Sequence, residues 1–169
     1  RNEGSLTLAE TGSHLAINGA YLLRGNQQSD LTTVIDHAAA HTTSHESVKG
    51  VLDGSAHGVF QGQIKDRKDS QKVDGYQMNR ALLLSPKAVV NAKPELEIFA
   101  DDVKCSHGAT IGELDANQLF YLRARGIPEA TARQMLVEAF VSEAIEAIED
   151  DVARVAFAGR AAAWMTEIE

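Results

Sequence analysis

Short apolar pieces separated by turn residues run from Ser5 to about Gly112. Segments such as LTL, LAI, LTTVID and RALLLSP alternate with TGSH, NG and similar turn sequences, which is the pattern of β-strands and not of helices. Near the end of this region four apolar residues follow one another at intervals of 7, 8 and 7 positions: Leu83, Val90, Ile98 and Cys105. Such regular spacing favours the stacked coils of a β-solenoid, and a sandwich of short strands gives a similar pattern.

The segment LEIFADDVKCSH changes phase in its middle. Before the Asp101-Asp102 pair, Leu96, Ile98 and Ala100 share one parity. After it, Val103, Cys105 and His107 share the other. A corner of the chain at the two aspartates explains this change. Because strand side chains alternate between faces, we expect Cys105 and His107 to point inward if Val103 does.

Beyond the strands the pattern becomes helical. Asp115 stands where a first helix begins, and Gly126 supplies its C-terminal stop. Pro128 suits the first turn of a second helix with apolar residues three and four positions apart. A third helix is expected from Asp151 past Trp164. Three short helices are typical of a cap or docking unit, because their apolar stripes must be buried against something.

The two patterns divide the 169 residues into a β-rich core, residues 1–112, and a helical domain, residues 113–169. A net charge of −8 and a pI near 5.2 argue against nucleic acid and anionic membrane surfaces as partners. No apolar run approaches the ~18 residues of a membrane span, and no signal peptide is recognisable. Arg1 in place of an initiator methionine predicts a fragment or a processed product.

The only cysteine, Cys105, has His107 two positions after it. A single cysteine forms no internal disulfide, so a reducing compartment and therefore the cytoplasm is expected. The pair is open to three interpretations: a nucleophile with its base, two metal ligands, or core packing. As ligands the two residues are too few for an iron–sulfur cluster, which takes about four protein ligands. Such a cluster therefore requires a seam at which another subunit supplies the other ligands.

Three histidines at intervals of four residues, His37, His41 and His45, are a second candidate metal site. On a helix they would share one face, as in zinc-binding helices. Their neighbours are β-branched, and on a strand this spacing places successive side chains ~13 Å apart. We therefore favour ordinary strand and turn histidines.

Four aspartates, Asp53, Asp74, Asp101 and Asp102, are candidates for acid/base chemistry on a polysaccharide. Acidic residues are also common in turns, where their side chains cap the backbone. With only nine aromatic residues in the chain, counted as Trp 1, Tyr 3 and Phe 5, a sugar cleft is disfavoured. We therefore favour turn positions for these aspartates.

Two charged segments are expected at the surface. The sequence KDRKDS, residues 65–70, predicts an exposed loop. The stretch from Gln134 to Ala153 contains six acidic residues and no lysine or arginine. It predicts either a solvated acidic face or a docking surface for a basic partner.

The stretch NRALLLSPKAVVNAKPELEIFADDVKCSHGATIGELDANQLFYLRARGI resembles the SufB/SufD family of iron–sulfur assembly scaffolds. The similarity is strongest from Gln71 to Ile127, where PELEI, DDVKCSHGAT and LFYLRARGI follow in the family's order, and it corresponds to the C-terminal half of family members. It implies a right-handed parallel β-helix followed by a small helical domain.

The resemblance also implies a non-catalytic scaffold role. Family members pair with the paralogue SufB through their β-helices, and their helical domains each bind a copy of the ATPase SufC. Carried onto this chain, the resemblance implies a transient iron–sulfur cluster at the seam, with His107 facing a SufB cysteine and Cys105 as its neighbour. It implies no cofactor stably bound by the chain alone. A homodimer is an option for the isolated chain. The alternative from another class is a β-helix hydrolase or lyase that uses aspartates.

Overall fold

The computed structural model describes residues 1–166, and within them the chain forms eight β-strands followed by three α-helices. The strands are β1 (Asn2–Leu8), β2 (His14–Leu23), β3 (Gln28–His37), β4 (Thr43–Leu52), β5 (His57–Asp66), β6 (Asp74–Leu83), β7 (Val89–Ile98) and β8 (Lys104–Glu113). The helices are α1 (Ala116–Ala124), α2 (Glu129–Glu146) and α3 (Asp151–Met165). None of the helices in this described part is long and apolar enough to cross a membrane.

Each strand pairs in parallel with the next strand but one. The odd strands form one sheet in the order β1-β3-β5-β7, and the even strands form the other in the order β2-β4-β6-β8. Asn2 pairs with Leu31 and His57 pairs with Val89, so the later coil is slightly longer than the first. The predicted parallel β-helix, followed by helices, is confirmed.

The regular apolar spacing seen in the sequence is not the repeat of the coils. Leu83 ends β6 and Val90 lies on β7, so this interval crosses one turn between the two sheets. Val90 and Ile98 lie on the same strand. The sequence pattern therefore reflected strand-and-turn length, whereas the coil comprises two strands and two turns.

The space between the two sheets is filled by inward-facing side chains that alternate along each strand. Ile35, Phe60 and Ile64 are fully buried there, as the period of two in their strands requires. Tyr21 on β2 also points inward, and its ring lies beside Gly50 of β4. A methyl group at Gly50 would overlap the ring, so at this position the aromatic side chain depends on the absence of a Cβ atom.

Helices α2 and α3 pack on the outer face of the β2-β4-β6-β8 sheet. Val137 and Val141 of α2 form a buried cluster with Val51 of β4 and Leu82 of β6. These strand residues have the opposite parity to the inward-facing ones, so both faces of this sheet are covered. The burial of four branched apolar side chains at one contact stabilises the attachment of the helices by several kcal/mol, at roughly 1.5–3 kcal/mol each.

Lys49 fastens α2 to the same sheet face. Its side chain is 2% exposed, and its Nζ donates hydrogen bonds to the Phe140 carbonyl oxygen at 2.8 Å and to the Glu143 carboxylate. The ammonium group also lies 4.7 Å from the centre of the Phe140 ring. The hydrogen bond from Lys49 lowers the pKa of Glu143. A buried charge is thus compensated by a carbonyl dipole, a carboxylate and an aromatic face.

The ends of the helices follow the predicted capping signals. The Asp115 side chain accepts hydrogen bonds from the backbone N–H groups of Asn117 and Gln118 at the start of α1. Gly126 has φ +84° just beyond α1, a conformation that glycine adopts readily. The third helix spans the range expected from the sequence.

Candidate functional site

The last coil of the β-helix leaves strand edges open. Within residues 1–166, β7 pairs only with β5, and β8 pairs only with β6. Pro94 lies inside β7, where an edge strand tolerates the missing N–H group. Ile98, Phe99 and Ile111 are exposed by 41%, 55% and 47% on or beside these strands. Unpaired edges beside exposed apolar side chains are typical of a surface that pairs with another chain.

Cys105 and His107 lie on β8, at this open end. In the parallel register Cys105 pairs with Gly75 and His107 pairs with Gln77, both of which are buried and face the interior. Cys105 is half-buried and His107 is exposed, because β8 is the last strand of its sheet. The two side chains therefore share one strand face at a place that a second chain can reach.

The Cys105 thiol is held by a buried carboxylate. Its Sγ donates a hydrogen bond to Oδ2 of Asp66, the last residue of β5, at 3.0 Å. Burial, followed by this hydrogen bond and the negative charge of Asp66, raises the pKa of Cys105 to about 12. At neutral pH the group is a protonated thiol, which is neither a nucleophile nor a metal ligand. Solvent access to the thiol and loss of its contact with Asp66 would both lower this pKa toward the value of a free thiol.

We expect Cys105 to resist alkylation by iodoacetamide. With a pKa of about 12 against ~8.5 for a free thiol, the thiolate fraction at pH 8 is roughly a thousandfold smaller in the folded chain than in urea. Because the thiolate is the reactive form, the rate for the folded chain should keep rising about tenfold per pH unit toward the raised pKa, whereas the rate for a free thiol levels off above ~8.5. The measurement is the rate of mass increase as a function of pH.

The Asp66→Asn variant tests the cause of the resistance. It removes the negative charge and should accelerate alkylation about tenfold, since one pKa unit changes the thiolate fraction tenfold. Asp69→Asn, an exposed aspartate of the following turn, is the matched control and should leave the rate unchanged. Equal rates for the wild-type chain and Asp66→Asn would contradict the role given to Asp66.

The three evenly spaced histidines have separate structural roles. His37 is buried, and its ring nitrogens lie 2.7 Å from Thr42 Oγ1 and 2.8 Å from Ser44 Oγ. His41 lies in a turn with φ 57°, and His45 stacks on Tyr76 with ring centres 4.6 Å apart. Burial lowers the pKa of His37, which keeps it neutral. The preference for strand and turn histidines is confirmed.

The four candidate aspartates lie in turns or at strand ends. Asp53 accepts a hydrogen bond from the Gly54 backbone N–H in the turn after β4, whereas Asp101 and Asp102 lie in the turn after β7. These turns are at opposite edges of the β-helix, since one follows an even strand and the other an odd strand. Asp102 is also paired with Lys72. Asp74 begins β6 at the same edge as Asp101 and Asp102, so the structure separates Asp53 from the other three candidates.

Two features of the site, both of them buried polar side chains, are not predicted by the sequence analysis. Asp66 was assigned to an exposed loop, but it ends β5 and is fully buried. Glu46 on β4 and Gln77 on β6 are also fully buried inside the β-helix, and burial raises the pKa of Glu46. In GVFQGQIKD the inward parity of Phe60 and Ile64 extends to Asp66, so alternation could have identified its orientation.

Among the described residues 1–166, no group of three or more His, Cys, Asp or Glu side chains is placed to hold a metal ion. Cys105 and His107 are thus an incomplete ligand set by themselves. A cluster or metal bound here would need ligands from outside these residues.

Comparisons with known proteins point to iron–sulfur cluster assembly. A family model for the SufBD core domain of SUF system FeS cluster assembly matches residues 1–140. The chain is 40% identical over 151 residues to the iron–sulfur cluster assembly protein SufD of Escherichia coli. It is 38% identical over 148 residues to a SufBD family protein of Synechocystis, and 33% identical over 151 residues to SufD of Bacillus subtilis.

These alignments cover most of this chain and a smaller part of each relative. They include 89%, 88% and 85% of the chain, but 36%, 33% and 34% of the Escherichia, Synechocystis and Bacillus proteins. The chain therefore spans about a third of the length of these relatives.

Proposed function

Because the chain belongs to the SufBD core domain family of SUF system FeS cluster assembly, we propose that it is a non-catalytic scaffold subunit of a cluster assembly complex. In this role it pairs with the paralogue SufB through the open end of the β-helix. The ATPase SufC binds its helices and supplies the ATPase activity. The nascent cluster, which is the cargo of the complex, forms at the seam between the two β-helices.

The position of His107 carries this proposal. Its imidazole is exposed on the last strand, two residues from the only thiol of the chain and beside unpaired strand edges. A partner β-helix that docks there adds its own ligands next to His107. The two residues then form part of a shared ligand set, which meets the need for about four donors.

The Asp66–Cys105 hydrogen bond supports a gated role for the thiol. In the resting chain the raised pKa keeps Cys105 protonated, so its thiol is not a metal ligand. We infer that rearrangement of the seam, driven by ATP binding to SufC, separates Cys105 from Asp66 and frees the thiolate. Differential binding of the nucleotide-loaded ATPase to the two arrangements supplies the required free energy.

Helix α1 is our candidate for the SufC contact. It contains Leu119, Phe120, Tyr121 and Leu122, yet none of its residues is buried. Phe120 and Tyr121 are exposed by 73% and 56%, and the guanidinium group of Arg125 lies 4.3 Å from the Tyr121 ring centre. Exposed aromatic residues beside an arginine are typical anchors of protein–protein interfaces.

Native mass spectrometry of the chain mixed with SufB and SufC, with and without ATP, tests the proposed assembly. We expect a complex that contains all three proteins. Phe120→Glu should weaken SufC binding about thirtyfold, as for loss of an anchor worth ~2 kcal/mol, and leave SufB binding intact. Val152→Glu replaces an apolar side chain of α3 that is 81% exposed and is the control. Absence of SufC from the wild-type complex, or equal binding by Phe120→Glu, would contradict this assignment.

A further inference from the structure

A column of polar side chains crosses the interior of the β-helix and ends at His107. Glu46 of β4 pairs with Gln77 of β6, and Gln77 pairs with His107 of β8 in the parallel register. Residues paired in this way lie ~4.8 Å apart with their side chains on the same face. The three polar side chains therefore form one inward-facing row, of which only the His107 end is open.

Glu46 fixes the amide group of Gln77. Gln77 Nε2 donates a hydrogen bond to Glu46 Oε2 at 2.7 Å, and Thr33 Oγ1 donates to the same oxygen at 3.1 Å. If the amide group were rotated by 180°, the Gln77 oxygen would face the Glu46 carboxylate oxygen, and two acceptors in contact repel each other. Gly62, on the facing sheet, leaves the space that the amide occupies, since a Cβ atom there would overlap it.

The other end of this amide lacks a partner. Gln77 is fully buried, and its Oε1 accepts no hydrogen bond from any of the residues 1–166. A buried acceptor left unsatisfied costs about 1–3 kcal/mol. The neighbour in the row on the open side is His107, which carries a ring N–H donor and is exposed on the last strand of its sheet.

We propose that Gln77 is a positioning residue for His107, accepting a hydrogen bond from one ring N–H so that the other ring nitrogen faces the open end. This inference rests on the proposed role of His107 as a ligand at the seam. A metal-binding histidine commonly donates its second ring N–H to a carboxylate or carbonyl, which fixes the tautomer and the ring orientation. Glu46 acts one step further back, by holding the Gln77 amide.

The tautomer of His107 is the first readout, because a merely structural role of Gln77 would leave it unchanged. The ring ¹⁵N resonances of His107 are measured by NMR in the isolated chain, at a pH at which the ring is neutral. The resonances that disappear in His107→Ala are those of His107. We expect one nitrogen protonated and the other bare in the wild-type chain. An exchange-averaged pair of shifts in the wild-type chain, as in free imidazole, would overturn the proposal without any variant.

Two variants separate the hydrogen bond from general disturbance of the interior. Gln77→Met keeps the length of the side chain but removes the acceptor, and should return His107 to the exchange-averaged state. Asn79→Leu removes an equally buried amide on the same strand, whose register partner is Ala109. It should leave His107 unchanged. Equal effects of the two variants on the tautomer would count against the positioning role.

Cluster yield in the complex with SufB and SufC is the second readout. Gln77→Met should lower the yield about tenfold, the usual range for loss of a group that orients a metal ligand being 10–100-fold, and Asn79→Leu should not. If the tautomer responds to Gln77→Met but His107→Ala leaves the yield unchanged, the ligand role of His107 fails while the positioning holds. If His107→Ala abolishes the yield and Gln77→Met alters neither readout, the positioning role fails.

Discussion

Replacing His107 with alanine is expected to abolish cluster formation by the assembled complex while leaving the chain folded. The side chain is exposed, so its removal should cost no more than the proposed hydrogen bond to Gln77, about 1 kcal/mol of the free energy of unfolding. Loss of a ligand at the shared site should lower the yield by a hundredfold or more, beyond the range for orienting groups. Iron and sulfide content and the visible absorbance of the purified complex measure this yield.

Cys105→Ser and His14→Ala complete the comparison. Cys105→Ser should also abolish the cluster, since serine lacks a soft sulfur donor. His14 is an exposed histidine at the start of β2, on the first pair of strands, and its alanine variant should assemble normal amounts of cluster. An undiminished yield from His107→Ala in a complex of correct composition would exclude a ligand role for this residue.

Gly50→Ala should destabilise the β-helix by about 3 kcal/mol. The new methyl group would overlap the ring of Tyr21, which packs against the buried cluster that includes Leu23 and Leu52. Overpacking of this kind typically costs about 1–3 kcal/mol or somewhat more, because the displaced ring must leave its packed position. Urea unfolding followed by circular dichroism gives the change in the free energy of unfolding.

Gly19→Ala is the matched control for this substitution. Gly19 lies on the strand next to Gly50, and no atom lies within 4 Å of a Cβ built at this position. Its alanine variant should be neutral or gain about 0.5 kcal/mol from the smaller entropy of the unfolded chain. In a Tyr21→Ala background, Gly50→Ala should cost less than about 0.5 kcal/mol. Additive effects of Tyr21→Ala and Gly50→Ala would show that the overlap is not the cause.

The strands, turns and helix ends could be predicted from this sequence because hydrophobic alternation and helix capping are local signals. The phase change at Asp101-Asp102 marks the turn between β7 and β8, and Asp115 caps α1 as predicted. The number of residues in one coil could not be predicted. Each strand pairs with the next strand but one, and the turns between the strands differ in length. For this reason the pairing of Asn2 with Leu31 and that of His57 with Val89 do not share one sequence offset.

The candidate site was predictable only in part for a related reason. Parity along one strand places Cys105 and His107 on one face, and this needs no knowledge of the other strands. The contact between Cys105 and Asp66 joins residues 39 positions apart on different sheets. It depends on the register of two coils, which the sequence does not specify locally. The charge of the KDRKDS segment was interpreted as solvent exposure, although its aspartate at position 66 has an inward parity.

The attachment of α2 through Lys49 has a mechanical consequence. A helical unit joined to a β-helix only by a flexible linker could swing without disturbing the strands. Here the buried ammonium group joins the Phe140 carbonyl and the Glu143 carboxylate to the middle of β4, and no hinge separates the two bodies at that point. Torque applied to α2 would therefore be passed directly to the β2-β4-β6-β8 sheet, so that the helix and the strands would rotate as one body.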